Sequence, residues 1–254
     1  MHTKQFLITI PAGKRLIAKA VTALEQIKRA LETNTIAIVA GTTNAYIAEE
    51  LLGIIGKKGD FSRNHFFRGV TTAPGKSIKP GGESFLNSDI VIEKGSWQKG
   101  KTIFDAAPEL GSGDIILKGA NAVNALRTQA GILIGNPTLG TSNSILQAVI
   151  GKRAELILPI GLEKRVPGDI NQIAAMLNHP GASGLRMLPV NGTIITELEA
   201  IELLTGATAE LIASGGICGA EGGYWLAVSG TKEQLKTVSG LYDLIANEPP
   251  FCEG

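Results

Sequence analysis

Apolar residues recur at helical spacing between Ala12 and Asn34, with Ile17, Ala20, Val21, Leu24, Ile27 and Leu31 on one side, which predicts one amphipathic helix. Ile36 to Val39 is an unbroken apolar run, the pattern of a strand buried on both faces. A polar corner, Gly41-Thr42-Thr43-Asn44, follows it, and helical spacing resumes from Asn44 to Ile55 with Ala48, Leu51, Leu52 and Ile55 inward. The stretch from Lys57 to Lys101 is irregular and rich in Gly and Pro, with strands predicted at "FFRGVT" and "DIVIE". Beyond it, "DIILKG", "GILIGNP" and "ELILPIG" read as three short strands of one parallel sheet, with "GTSNSILQAVIG" as a crossover helix between the last two. The alternation predicts an α/β fold, an open and mostly parallel sheet flanked by helices in a Rossmann-like manner.

The rhythm changes at Arg186. "RMLPV" reads as a strand, and "TELEAIELLTG" as a helix opened by a Thr196/Glu199 capping box and closed by Gly206. "AELIASGG" and "GGYWLAVSG" form a hairpin. A last helix opens at a Thr231/Gln234 box, with Leu235, Val238, Leu241 and Ile245 inward. The β-α-β-β-α order predicts a small α+β unit over residues 184–254, separated from an α/β ligand-binding domain, 1–183, near the turn-rich "HPGASG".

Charge sharpens this division. Of the 254 residues, 24 are basic and 23 acidic, yet the part from Arg186 onward holds only three of the basic residues against nine of the acidic ones. The remainder is net positive, which favours an anionic ligand there, although solubilising surface lysines would give the same balance. Hydrophobic residues at 44% supply a core, and charged residues at 19% give no sign of disorder. Cys218 and Cys252 form no disulfide or metal pattern, and His2, His65 and His179 are scattered, so no metal and no cofactor is expected. No secretion signal or membrane-length apolar run is read, and the expected location is the cytoplasm.

Three corners carry candidate chemistry. Gly41, Thr42, Thr43 and Asn44 lie at a strand exit before a helix, where free amides and hydroxyls can hold an anion. The competing reading makes Thr43 or Asn44 an ordinary helix cap. Gly135, Asn136, Gly140, Thr141 and Ser142 form a second such corner. In the third, Lys118 closes a strand ahead of Gly119, Ala120 and Asn121, where an ammonium can meet a phosphate or stay merely solvated. Two other motifs do not qualify. "GVTTAPGKS" has five residues between its glycines where a P-loop has four, and Pro80 interrupts the helix such a loop opens. "GSGDIIL" leads into a strand and is no dinucleotide fingerprint. The basic stretch around Phe66, Phe67 and Trp97 permits base stacking, but aromatics are 5% of the chain and no nucleic-acid reader motif occurs.

The succession "AIVAGTTNAYIAEEL", "GDIILKGANAVN" and "GILIGNPTLGTS" resembles the NagB/RpiA/CoA-transferase-like superfamily of sugar-phosphate isomerases, deaminases and CoA transferases over about the first 165 residues. Lys118-Gly119-Ala120 is similar to the Lys-Gly-Gly loop of ribose-phosphate isomerases, and "GANAV" resembles the "GADAV" loop of the translation-factor and sugar-phosphate isomerase branch. The resemblance implies a phosphate-cradling loop, a sugar phosphate or CoA ester as ligand, and an accessory α+β domain. Asn121 stands where that loop carries aspartate, and no "DGADE"-like pair of acids is present. Two readings follow. One is an isomerase- or transferase-like enzyme with Glu93 as base or nucleophile and Lys118 stabilising developing negative charge. The other is a non-catalytic sensor or regulatory subunit that keeps the anion pocket. A homo-oligomer is expected in either case.

Overall fold

A computed structural model of the chain describes residues 1–68, 71 and 89–250. Its centre is a six-stranded sheet made of β2 (Thr35–Val39), β3 (Asp89–Glu93), β4 (Ser96–Trp97), β5 (Ile115–Leu117), β8 (Glu155–Pro159) and β10 (Thr193–Ile195). The order is β10-β8-β5-β2-β3-β4, with the first four strands parallel and β3 and β4 antiparallel at one edge. The α/β class with a mostly parallel sheet follows directly from these pairings.

Alternation along the central strands explains their unbroken apolar runs. Ile36 and Ile38 of β2 pack with Ile115, Leu117 and Ile157 into one core. Ala37, Val39, Ile116, Leu156 and Leu158 point the other way into a second. The first core is closed by α1 (Ile10–Ala23), α2 (Glu25–Thr33), α3 (Thr42–Ile54), α7 (Glu197–Thr205) and α8 (Lys232–Ile245). The second is closed by α4 (Ile103–Ala106), α5 (Thr141–Leu146) and a small antiparallel sheet, β6-β7-β9 (Ala122–Asn124, Gln129–Ile134, Arg186–Val190). α6 (Ile170–Leu177) packs on that small sheet.

Several expectations are corrected. The helix read over 12–34 is two, broken at Leu24, whose extended backbone (φ −62°, ψ 134°) ends α1 and starts α2. "GILI" lies outside the parallel sheet. It pairs antiparallel with β6 and β9, because the short turn after Asn124 returns the chain beside the strand it has just left. Phe66 and Phe67 are buried but belong to no strand; Gly69 and Val70 of "FFRGVT", and the P-loop-like segment apart from Thr71, lie outside the described residues.

The boundary at 183/184 does not divide the molecule. β9 pairs with β7 and β10 extends the main sheet beside β8, so both strands past the boundary belong to the α/β body. In the other direction, β1 (His2–Ile8) pairs along its whole length with β12 (Tyr224–Gly230), which also pairs with β11 (Thr208–Ser214). The expected strand, helix, hairpin and last helix are present with one further strand, β10, before α7, but unpaired strand edges find partners far away in sequence. The two capping boxes and the left-handed Gly206 are present as read. A partly buried ion network ties the helices to the C-terminal segment. Arg15 of α1 bonds Glu49, Glu50 and Glu248, and Arg63 bonds Glu49 and Glu248, with both guanidinium groups over the Tyr46 ring. Among the described residues no helix is long and apolar enough to cross a membrane.

The shared core makes a prediction. Trp97 lies in β4 of the main sheet and Trp225 in β12 of the terminal one. Single-tryptophan variants should therefore report coincident urea transitions. Ile8→Ala should shift both midpoints together, at a cost of about 2–5 kcal/mol. Separate midpoints would mean that 184–254 folds as its own unit.

Candidate ligand-binding cleft

β2 ends at Val39, and α3 begins after Gly41 with no side chain capping its first turn. The α7 and α8 starts, by contrast, are closed by Thr196 and Thr231. The leading amides of α3 therefore stay available, and the helix dipole adds positive potential there. Neither Thr43 nor Asn44 is a cap. The Asn44 carboxamide donates to Val39 O (2.8 Å) and Leu117 O (2.9 Å), joining the carboxyl ends of β2 and β5. Its Oδ1 and the Thr43 hydroxyl are buried with no hydrogen-bond partner among the described residues. Thr42 accepts a hydrogen bond from Lys14 Nζ of α1 at 3.1 Å.

β2 and β5 are where the strand order turns back on itself: the chain goes from β2 to β3 on one side and then to β5 on the other. A sheet of this kind opens a crevice at that point, beyond its carboxyl ends. Lys118, Gly119, Ala120 and Asn121 leave β5 into this crevice. Asn121 is occupied structurally, since its Oδ1 accepts from Leu133 N (2.9 Å) and its own amide donates to Gly131 O (2.9 Å). That pair holds β7 so that its exit, Gly135 and Asn136, reaches the same rim. Asn136 Oδ1 accepts from the amide and hydroxyl of Thr138 (2.8 and 2.7 Å), and Gly140 takes a left-handed φ of 55° before Thr141 and Ser142. The turn after β8, Leu162–Lys164, closes the ring with Glu163 and Lys164.

The three corners singled out in the sequence thus converge on one cleft of about 690 Å³, lined by Gly41, Thr42, Thr43, Asn44, Lys118, Gly119, Ala120, Asn121, Gly135, Asn136, Gly140, Thr141 and Ser142. Its lining also includes Lys14, Arg68 and Lys164, so among the described residues four basic side chains face one acidic one, Glu163. Lys118 keeps part of its surface in contact with solvent, yet its ammonium is enclosed by protein on most sides. That enclosure, opposed by Asp89 and reinforced by repulsion from Lys164 and Arg68, lowers its pKa to about 8. The ammonium makes no hydrogen bond or ion pair with any described residue, and at neutral pH it is still mostly charged.

Glu93 is the exception. β3 runs antiparallel to β2 and pairs Glu93 with Thr35, at the end of the sheet away from the cleft, where its carboxylate bonds Lys101 at 2.6 Å. The expected role as base or nucleophile is therefore corrected: the side chain lies outside the cleft. The same antiparallel register puts Asp89, at the start of β3, beside Val39 and near the cleft. Asp89 accepts from Ala40 N (2.9 Å), Ile103 N (3.0 Å) and Arg68 (3.0 Å). Burial raises its pKa, against the pull of Arg68, these amides and Lys118.

Sequence reasoning missed Asp89, Lys14, Glu163 and Lys164. For Glu163 and Lys164 a signal existed, because "ELILPIGLEK" is another parallel-strand exit and only its strand was used. Lys14 stands three and seven residues before Ile17 and Val21, a charge interrupting an apolar stripe. Asp89 had no local signal, because strand direction decides which end of "DIVIE" meets the ligand. In comparison with known proteins, no family model matches the chain, and no curated protein or solved structure matches it significantly.

The depressed Lys118 makes a testable link to stability. Between about pH 8 and its ordinary value of 10.5, the folded chain binds fewer protons at this site than the unfolded one. The stability of the wild type relative to Lys118→Met should therefore rise with pH across that window. At pH 7 the variant should be at least as stable as the wild type. Urea denaturation at neutral and alkaline pH measures both, and a marked loss of stability in Lys118→Met at pH 7 would give the lysine a structural role instead.

Proposed function

We propose that the cleft binds a phosphorylated small metabolite, a sugar phosphate in preference to a CoA ester, and that the chain is an isomerase-like enzyme on a Rossmann-like scaffold. The observation that carries the reading is the Lys118 ammonium, without a partner among the described residues, in one cleft with the uncapped start of α3. A phosphoryl group supplies what both lack: acceptor oxygens for the amides of Thr42 to Asn44 and negative charge for the ammonium. Lys14, Lys164 and Arg68 deepen the positive potential of a partly enclosed site, where electrostatic attraction exceeds its value in water.

The preference for a sugar phosphate follows from the compact cluster of donors, which suits a single phosphoryl group; Glu93, the glutamate considered as a CoA-transfer nucleophile, lies at the other end of the sheet, paired with Lys101. Sugar-phosphate isomerisation asks only for an anion site with a proton-transferring group beside it. The regulatory alternative drew on Asn121 in place of an acid. Asn121 Oδ1 accepts from Leu133 N, a contact that an aspartate oxygen would make equally well and that is compatible with either reading.

Thermal-shift measurements with inorganic phosphate, ribose phosphates, hexose phosphates, hexosamine phosphates and CoA esters test the reading. A sugar phosphate at a hundredfold excess over its Kd should stabilise the chain by about 2.7 kcal/mol, and its dephosphorylated sugar should not. Lys118→Met should remove the shift, and affinity in the wild type should fall as pH rises through about 8, where Lys118 loses its proton. If no phosphorylated probe binds, or if binding is indifferent to Lys118, the reading is wrong.

A further inference from the structure

Two half-exposed apolar side chains line one wall of the cleft. The first is on α4, a single turn of helix that is held firmly. A Thr102/Asp105 capping box closes its start, and Ile103 N donates to the buried Asp89 at 3.0 Å. Ile103 and Ala106 point into the second core, so Phe104 is turned outward into the cleft and keeps 49% of its surface exposed. Leu139, just before α5, lines the same cleft at 36% exposure. α4 packs against α5, which brings the two side chains to one side of the opening.

Neither position is what folding alone favours. Leu139 holds a left-handed backbone (φ 66°), where a Cβ crowds the following carbonyl oxygen. Its amide donates to Asn136 O (3.1 Å) and its carbonyl accepts from Ser142 N (3.2 Å), so the turn fixes it there. A phenylalanine gains no hydrophobic stabilisation from the part of its ring that faces water. The Phe104 ring also has a planar cation beside it. The Arg68 guanidinium lies 5.8 Å from its centroid, and Asp89, which anchors α4, holds that guanidinium at 3.0 Å. One carboxylate therefore sets the position of both planar groups. At the rim, Asn136 uses its Oδ1 to accept from Thr138, and its amide nitrogen donates to no described residue.

We propose that Phe104 and Leu139 form a slot for a planar aromatic ring, and that the phosphorylated sugar held in the cleft carries such a ring, as a ribose phosphate bearing a heteroaromatic base does. The proposal rests on the phosphate-binding reading and names what is attached to the sugar. The phosphoryl group takes the α3 side, beside the amides of Thr42 to Asn44 and the Lys118 ammonium. The ring takes the α4/α5 side, so the ligand lies across the carboxyl edge of the main sheet. α3 closes the first core and α4 and α5 the second, on opposite faces of that sheet, and a ligand confined to one face would leave the opposite wall in water. An aromatic ring suits the slot better than an aliphatic chain, because its face attracts both a second ring and a guanidinium. Ring nitrogens or carbonyls on its edge can accept from Asn136, which an all-carbon ring cannot do. The cleft volume of about 690 Å³ is in the range of sites that enclose ligands larger than a bare sugar phosphate.

Titration calorimetry with ribose 5-phosphate, adenosine 5′-monophosphate, uridine 5′-monophosphate, adenosine and inorganic phosphate tests the slot. At least one nucleotide should bind about 5- to 150-fold more tightly than ribose 5-phosphate, the range that one stacked base contributes. Phe104→Ala should bring that ratio close to one. Phe104→Trp retains a stacking face and should keep the preference. Its added emission, over that of Trp97 and Trp225, should be quenched by the nucleotide and not by ribose 5-phosphate. Adenosine, which lacks the phosphate, should bind far more weakly than its monophosphate. Nucleotides that bind no more tightly than ribose 5-phosphate, or a preference that survives Phe104→Ala, overturn the slot and leave the phosphate site standing. If ribose 5-phosphate, the nucleotides and inorganic phosphate all fail to bind, the phosphate reading itself fails, and this assignment with it.

Discussion

The buried Asn44 carboxamide joins the carboxyl ends of the two strands between which the cleft opens. One donor goes to the last carbonyl of β2 and the other to the last carbonyl of β5. Parallel strands end in carbonyls with no further ladder to satisfy them, and a buried carbonyl left alone is costly. Satisfying both from one side chain on the first turn of α3 sets where that helix begins relative to both strands. The uncapped amides of α3, the Lys118 loop and the Lys14–Thr42 contact all inherit their positions from this arrangement.

Charge in the cleft is arranged by enclosure as much as by sign. Lys118 is charged at neutral pH but weakened by its surroundings, Arg68 is drawn aside by Asp89, and Lys14 is tethered to Thr42. Opposite them, Glu163 lies near Glu197 of α7, which burial first and then the Glu163 charge keep neutral. Acids and bases whose environments push their proton affinities away from ordinary values mark sites of chemistry more often than of stability. Stability is served elsewhere, by the Arg15 and Arg63 network over Tyr46 and by two cores that between them cover both faces of the main sheet.

The difference between Glu93 and Asp89 shows how site reading from sequence can fail. Both belong to "DIVIE"; Glu93, the acid that closes the run, is the one offered as base or nucleophile, and ligands in open α/β sheets gather beyond carboxyl ends. That rule holds for parallel strands. β3 is antiparallel, so its carboxyl end points away and its first residue meets the cleft. Similarly, "GILIGNP" and "DIILKG" share an apolar run of two isoleucines and a leucine, yet the second lies in the main sheet and the first in a small sheet packed on its face. Apolar content reports burial on two sides and is silent about which neighbour supplies the hydrogen bonds.

What the amino-acid sequence determined by itself was local: the strand at Ile36–Val39, the capped starts of α7 and α8, the left-handed stop at Gly206, and the small polar corners at strand exits. Each depends on residues within a few positions of one another, through periodicity, cap chemistry or the freedom of glycine at positive φ. Tertiary structure alone decided strand direction, the partnership of β1 with β12, the joining of β9 and β10 to the main body, and the meeting of Lys14, Lys118, Glu163 and the start of α3. Those outcomes turn on which distant edge satisfies a strand's free amides and carbonyls, a competition settled over the whole chain that leaves no mark in any short stretch of it.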